Sequence, residues 1–217
     1  MIVDLNLQNK KIIIIGGGNE AQKRIASVLK QECDIVVISD SVNSQISELA
    51  KSKKIKLMKQ KITDTGFISK LKPDLIITTT DDGKINQRII KDAKKRGVMV
   101  YSSDSPEDSD FSNPAVIDFE NIIQIAIFTG GRSPAMSKKI KDKSEKLFKK
   151  IITKEDIAQI RIQKMARELA KEVISTQDQR RECLRSIMGD NEIDQLIKDG
   201  QIKKAEKRAR TILRNWK

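Results

Sequence analysis

Two hydrophobic rhythms alternate along the first half of the chain. Four isoleucines, Ile12 to Ile15, run into Gly16, Gly17 and Gly18, and a helical pattern begins at once. Asp34 to Ile38 reads as a second parallel strand and Lys54 to Lys59 as a short third, with helical spacing over Val42 to Ser52 between them. After Pro73, Asp74 to Thr80 (DLIITTT) reads as a fourth strand whose continuous apolar character suits burial on both faces. Asn86 to Arg96 predicts a helix stopped by Gly97, and Val98 to Ser103 a fifth strand. Strands that alternate with helices predict an α/β fold with a doubly wound parallel sheet, here over residues 1–112.

Beyond Asp110 the rhythm changes. Pro114 to Phe119 and Ile122 to Phe128 predict two strands around the turn Glu120-Asn121, a hairpin rather than another crossover unit. Ser133-Pro134 opens a helix as N-cap and first-turn proline, which makes residues 113–150 a small α+β segment. Residues 151–217 read as a helical C-terminal domain. Thr153 and Asp156 resemble a capping box there, and Ile157, Ile160, Met165, Leu169 and Val173 can line one helical face. Gly189 and Gly200 punctuate further helices.

The junction of the first strand and helix carries candidate chemistry. Gly16-x-Gly18-x-x-Ala21 fits the dinucleotide fingerprint of a Rossmann-type sheet: a glycine for the turn, one for close approach of a pyrophosphate, and a small residue for helix–strand packing. Backbone amides of Gly18, Asn19 and Glu20 would meet phosphate oxygens at the positive end of the helix. Asp40 lies 24 residues after Gly16, at the end of the next strand, where a carboxylate accepts hydrogen bonds from a ribose and repels an extra phosphate. That choice favours NAD over NADP. The residues alone leave open a tight turn without a ligand and Asp40 as a solvated loop acid.

Composition narrows the chemistry. The 217 residues contain no histidine, which removes Ser-His-Asp catalysis and imidazole ligation of a metal. Cys33 and Cys183 are far apart, so neither a disulfide framework nor a thiolate metal site is expected, and no metal is assigned. The net charge of +13 is concentrated in the last third: residues 136–217 hold 23 basic and 13 acidic side chains, against 20 and 17 before them. Such a surface attracts polyanions, while an aromatic content of 3% argues against nucleic-acid binding by base stacking. No apolar run approaches the ~20 residues that span a bilayer, and the start lacks the order of a secretory signal, so a cytoplasmic protein without a membrane partner is expected.

Several separated motifs, IIIIGGGNEAQKR, ITTTDDGKINQRI, YSSDSPEDSDFSNPAVI and IAIFTGGRSPAMSKKIKDK, resemble the siroheme synthase N-terminal module, that is, precorrin-2 dehydrogenase with or without sirohydrochlorin ferrochelatase activity. The likeness covers about residues 1–150. It implies NAD-dependent oxidation of precorrin-2 to sirohydrochlorin by a homodimer in which residues 113–150 supply much of the contact. It further implies that Asn19 and Glu20 meet the pyrophosphate, that Asp40 and Ser41 meet the ribose, and that Thr79, Thr80 and Asp81 form the loop beside the cofactor. Asp104 matches the family's aspartate implicated in dehydrogenation, although Tyr101-Ser102-Ser103-Asp104 stands where the family usually has Asn-Val-x-Asp.

Asp104 also suits that task on chemical grounds. A carboxylate at a strand's carboxyl end, next to a nicotinamide, could take a proton from carbon or orient a pyrrole nitrogen, and without histidine it leads the candidates. An ordinary turn acid before Pro106 is the other reading. Thr129, Gly130, Gly131, Arg132 and Ser133 offer amides, a helix N-terminus and a guanidinium to one of precorrin-2's eight carboxylates, or simply turn a strand into a helix. Two other functions compete: a bifunctional enzyme that also inserts Fe2+ into sirohydrochlorin, and an NAD-binding regulatory module whose basic helices hold a partner.

Overall fold

The computed structural model describes residues 2–216, and the chain separates into two compact units that meet between Asn113 and Pro114. The first is a parallel sheet of β1 (Lys11–Ile15), β2 (Asp34–Ser39), β3 (Lys56–Lys59), β4 (Leu75–Thr78) and β5 (Met99–Ser102) in the order β3-β2-β1-β4-β5. The connecting helices are α1 (Asn19–Val28), α2 (Ser44–Lys51), α3 (Gly66–Leu71) and α4 (Gly83–Lys95). This is the expected doubly wound α/β fold. Strand order reverses between β1 and β4, so a crevice opens there at the carboxyl ends of the strands.

The sheet is held from both sides. Ile12 and Ile14 join Val37, Ile77, Ala21 and Ile25 in one apolar layer, while Ile13 and Ile15 join Ile38, Ile76, Val100 and Ile89 in the other. The isoleucines of β1 are at most 1% exposed, which explains why this strand reads as an unbroken apolar run rather than an alternation. Helix α3 is an element the apolar rhythm did not single out. It ends at Lys72 in the left-handed region, φ 47°, directly before Pro73.

The two rims of the sheet are finished differently. β3 carries exposed Lys56 and Lys59 at its ends. Along β5, Asp110 accepts from the Val100 amide through Oδ2 (2.8 Å) and donates its own amide to the Val100 carbonyl (2.9 Å), and Ser109 Oγ accepts from the Ser102 amide (2.9 Å). Phe111 then stacks on Tyr101, with ring centroids 5.4 Å apart.

The second unit begins with the antiparallel hairpin of β6 (Ala115–Phe119) and β7 (Ile123–Ile127), whose turn holds Glu120 and Asn121 in the left-handed region. Helix α5 (Pro134–Ile151) packs against it. Helices α6 (Lys154–Val173), α7 (Gln177–Met188), α8 (Asn191–Lys198) and α9 (Ile202–Arg214) share a core containing Ile162, Ile187, Ile193, Ala205 and Ala209. Thr153 and Asp156 form the expected capping box of α6. The expected apolar stripe of α6 needs correction: Ile160 and Val173 are exposed, and Ala158, Ile162, Ala166 and Ala170 turn inward beside Ile157. Among the described residues no helix is long and apolar enough to cross a membrane.

Candidate functional site

The turn after β1 is shaped by three glycines with three different surroundings. Gly16 has φ +115°, and a Cβ there would lie 2.4 Å from Thr79 Oγ1. Its amide donates to the Ile38 carbonyl (3.0 Å), so the turn is tied toward β2 while it presses on β4. At Gly17 a Cβ would fall 1.9 Å from the Ser41 carbonyl oxygen and 2.8 Å from Val42. Gly18 is the opposite case: nothing lies within 4 Å of a Cβ built there. Its open face borders the start of α1, where Gly18 is the N-cap and offers no side-chain hydrogen bond. The first-turn amides of a helix lack intrahelical acceptors, so those of Asn19 and Glu20 are available to an anion in front of Gly18.

The other candidates reach the same edge of the sheet. Asp40 and Ser41 follow β2, both exposed, with Ser41 Oγ 3.5 Å from Asp40 Oδ1. Ser39 Oγ donates to the Ser41 carbonyl (2.7 Å) and the Asn43 amide to the Gly17 carbonyl (2.9 Å), which fastens this loop onto the glycine turn. Thr79 follows β4, its amide and hydroxyl both donating to the Ile15 carbonyl at 2.8 Å. Thr80 is held by buried Asn86, donating its hydroxyl to Asn86 Oδ1 (2.7 Å) and accepting Asn86 Nδ2 at its carbonyl (2.8 Å). Asp81 is exposed in the loop before α4. Asp82 caps α4, accepting from the amides of Lys84 and Ile85, so this helix start is occupied whereas that of α1 is open.

Asp104 stands exposed just beyond β5. Ser102 Oγ donates to its Oδ1 (2.5 Å), and a Cβ on Gly83 would lie 3.6 Å from its Oδ2. The carboxylate thus sits beside the first residue of α4. Glu20 has a different use for its side chain: burial opposes its charge, but Arg24 and Lys23 outweigh that and hold the carboxyl below its ordinary range. Arg24 also donates to Tyr101 Oη (3.2 Å) and lies 4.9 Å over its ring, which ties α1 to β5.

In the second unit, Thr129 to Ser133 makes a compact turn with Gly130 at φ +65° and Gly131 at +74°. Thr129 Oγ1 accepts the Ser133 amide (3.2 Å) and approaches Ser137 Oγ (3.0 Å), while Ser133 Oγ caps α5 at the Met136 amide. Arg132 is exposed. Among the described residues no group of three acids or cysteines could hold a metal ion.

Gly17 and Ser102, which the sequence places at the strands' carboxyl ends without a role of their own, belong to this edge. The signal for Gly17 was its place in a run of three glycines, of which the fingerprint needs only the first and the last.

Among known proteins, a family model matches the first unit, and longer relatives run on into the second. The NAD_binding_7 family model, “Putative NAD(P)-binding”, matches residues 3–115. The siroheme synthase of Psychromonas ingrahamii is 27% identical over 199 residues, 92% of this chain and 40% of that protein. The siroheme synthase of Methylococcus capsulatus is 32% identical over 144 residues, 65% of this chain and 29% of that protein. The chain therefore spans well under half the length of these curated relatives. Among solved structures, SirC, a precorrin-2 dehydrogenase, superposes with a TM-score of 0.70 at 21% identity over 96% of this chain and 99% of its own, a likeness of fold.

Proposed function

The chain belongs to the NAD(P)-binding family, whose model covers more than half of it, and from that premise we propose that it oxidises precorrin-2 to sirohydrochlorin with NAD. The observation that carries this reading is one sheet edge that bears both an uncapped helix start behind the bare face of Gly18 and, two strands away, the exposed carboxylate of Asp104. Bound NAD would supply the hydride acceptor. The chain's own groups do the rest.

Gly16, Gly18, Asn19 and Glu20 line the pyrophosphate with backbone, and their fit to that group follows from the space in front of Gly18. Asp40 and Ser41 receive the ribose, the Asp40 carboxylate favouring NAD over its phosphorylated relative. Thr79, Thr80 and Asp81 wall the cofactor at the end of β4. Asp104 takes the proton that leaves the macrocycle when its hydride departs, a role open to a carboxylate that is solvent-accessible and held at one oxygen. Thr129, Gly130, Gly131, Arg132 and Ser133 offer a turn with two left-handed glycines and an exposed guanidinium to a substrate carboxylate.

The active species in this reading is a cytoplasmic homodimer. Its support is the outer face of α5, where Met136, Ile140, Leu147 and Ile151 share one side of the helix and are 39–66% exposed. The test is turnover: precorrin-2 and NAD with the full chain give sirohydrochlorin, read by absorbance. Asp104→Asn keeps NAD affinity and loses about 100-fold or more in kcat, the range that proton-transfer groups contribute. An Asp104→Asn protein as active as the parent removes the residue from the mechanism.

A further inference from the structure

Thr78 and Ser102 are the last paired residues of β4 and β5, side by side in register, and both are fully buried. They belong to the face of the sheet that carries Ile76 and Val100 against α4, where an aliphatic side chain is the ordinary occupant. Instead two hydroxyls lie 2.6 Å apart. Ser102 Oγ also reaches Asp104 Oδ1 at 2.5 Å. A carboxylate only accepts, so Ser102 must donate to Asp104, and Thr78 must then donate to Ser102. The direction of the chain of hydrogen bonds is fixed by its end.

The backbone around Asp104 is tied down by other groups. The Ser103 amide donates to the Thr78 carbonyl (3.1 Å), and Gln87 Nε2 donates to Ser105 Oγ (3.0 Å) and Asp108 Oδ2 (2.8 Å). What these bonds leave undetermined is the side-chain torsion of Asp104, and that is what Ser102 sets. We propose that Thr78 and Ser102 are positioning residues, a buried hydroxyl relay that locks Oδ1 of Asp104 and leaves Oδ2 as the oxygen that meets substrate. This rests on the proposed role of Asp104, and it specifies which oxygen works and what aims it.

The test uses the full chain and two readouts. In a crystal structure of Ser102→Ala the Asp104 carboxylate turns away from its parental position or occupies several rotamers, while residues 103 and 105 stay in place. In steady-state oxidation of precorrin-2, Ser102→Ala lowers kcat about ten- to a hundred-fold, the scale of one hydrogen bond to a charged group, with KM for NAD unchanged. Thr78→Val, which keeps the shape and removes the hydroxyl, lowers kcat in the same sense by a smaller factor, and Thr78→Ser restores it. A merely structural pair predicts loss of thermal stability with no such split between kcat and KM. Asp104 unmoved in Ser102→Ala, or kcat within two-fold of the parent, overturns the proposal. If the parent binds NAD but leaves precorrin-2 unchanged, the functional reading fails, and the rotamer of Asp104 still decides the relay.

Discussion

Gly17 and Gly18 are adjacent in sequence and should fail in opposite ways when each is replaced by alanine. At Gly17 the new methyl would lie 1.9 Å from the Ser41 carbonyl oxygen and 2.9 Å from Ser39 Oγ, inside the 3.0 Å that real Cβ contacts respect. The rigid partner is backbone, so the loop of residues 39–42 must move, and with it the Ser39–Ser41 hydrogen bond of 2.7 Å. Overpacking of this kind costs about 1–3 kcal/mol, and the lost bond about 1 kcal/mol more. At about 2–4 °C per kcal/mol, Tm should fall by roughly 4–16 °C. At Gly18 nothing obstructs the methyl and φ is −87°, a conformation open to alanine. An alanine N-cap costs about 0.5–1 kcal/mol and the stiffer unfolded chain returns about 0.4–1 kcal/mol, so Tm should stay within about 2 °C. The methyl does occupy the space proposed for the pyrophosphate, and NAD affinity should fall at least about tenfold, or about 1.4 kcal/mol. Differential scanning calorimetry and NAD titration of both variants decide the matter. Equal losses of Tm, or parental NAD affinity in Gly18→Ala, would refute the division of labour.

Other outcomes follow from single residues. Asp40→Ala should weaken NAD by several-fold while leaving or improving NADP binding, measured as the ratio of the two dissociation constants. Asp190→Ala should destabilise the helical unit by about 1–2 kcal/mol, because it removes the cap of α8 at the Ile193 amide (2.9 Å) and the Arg208 pair (3.1 Å). Burial raises the Asp190 pKa, but the Ile193 and Glu192 amides and Arg208 lower it further, to below its ordinary 3.8. Its stabilisation is therefore present above about pH 4 and disappears as pH falls through the lower folded value, and circular dichroism of parent and variant should converge at acid pH. Leu147→Glu on the outer face of α5 should convert the proposed homodimer to monomer in sedimentation equilibrium without loss of helix signal.

Much of the nucleotide unit was legible because a central parallel strand is buried on both faces and announces itself as an apolar run, as Ile12 to Ile15 and Leu75 to Thr78 do. Its carboxyl edge then follows from topology alone. Gly17 was not legible as a fold determinant, since its constraint comes from the Ser39 to Val42 loop arriving from another strand. Thr78 and Ser102 read as the polar ends of their strands until register put their hydroxyls together. In α6 the larger residues Ile160 and Val173 suggested a stripe, but the buried side is built on Ala158, Ala166 and Ala170, where small residues let α6 approach α9 at buried Ala205 and Ala209. Alanine carries little weight in a hydrophobic pattern, and backbone proximity is a tertiary property.

The finish of the β5 rim has a bearing on how the protein behaves when crowded. Segments such as KIIII and DIVVIS have the composition from which cross-β stacks grow, and a naked sheet margin beside them would template a foreign strand. Asp110 and Ser109 answer the outward amides of Val100 and Ser102 from within the same chain, and the margin at β3 is short and carries lysines. Self-association by strand addition is thereby discouraged at both ends of the sheet, so the isoleucine-rich interior can be very sticky without making the folded molecule prone to polymerise.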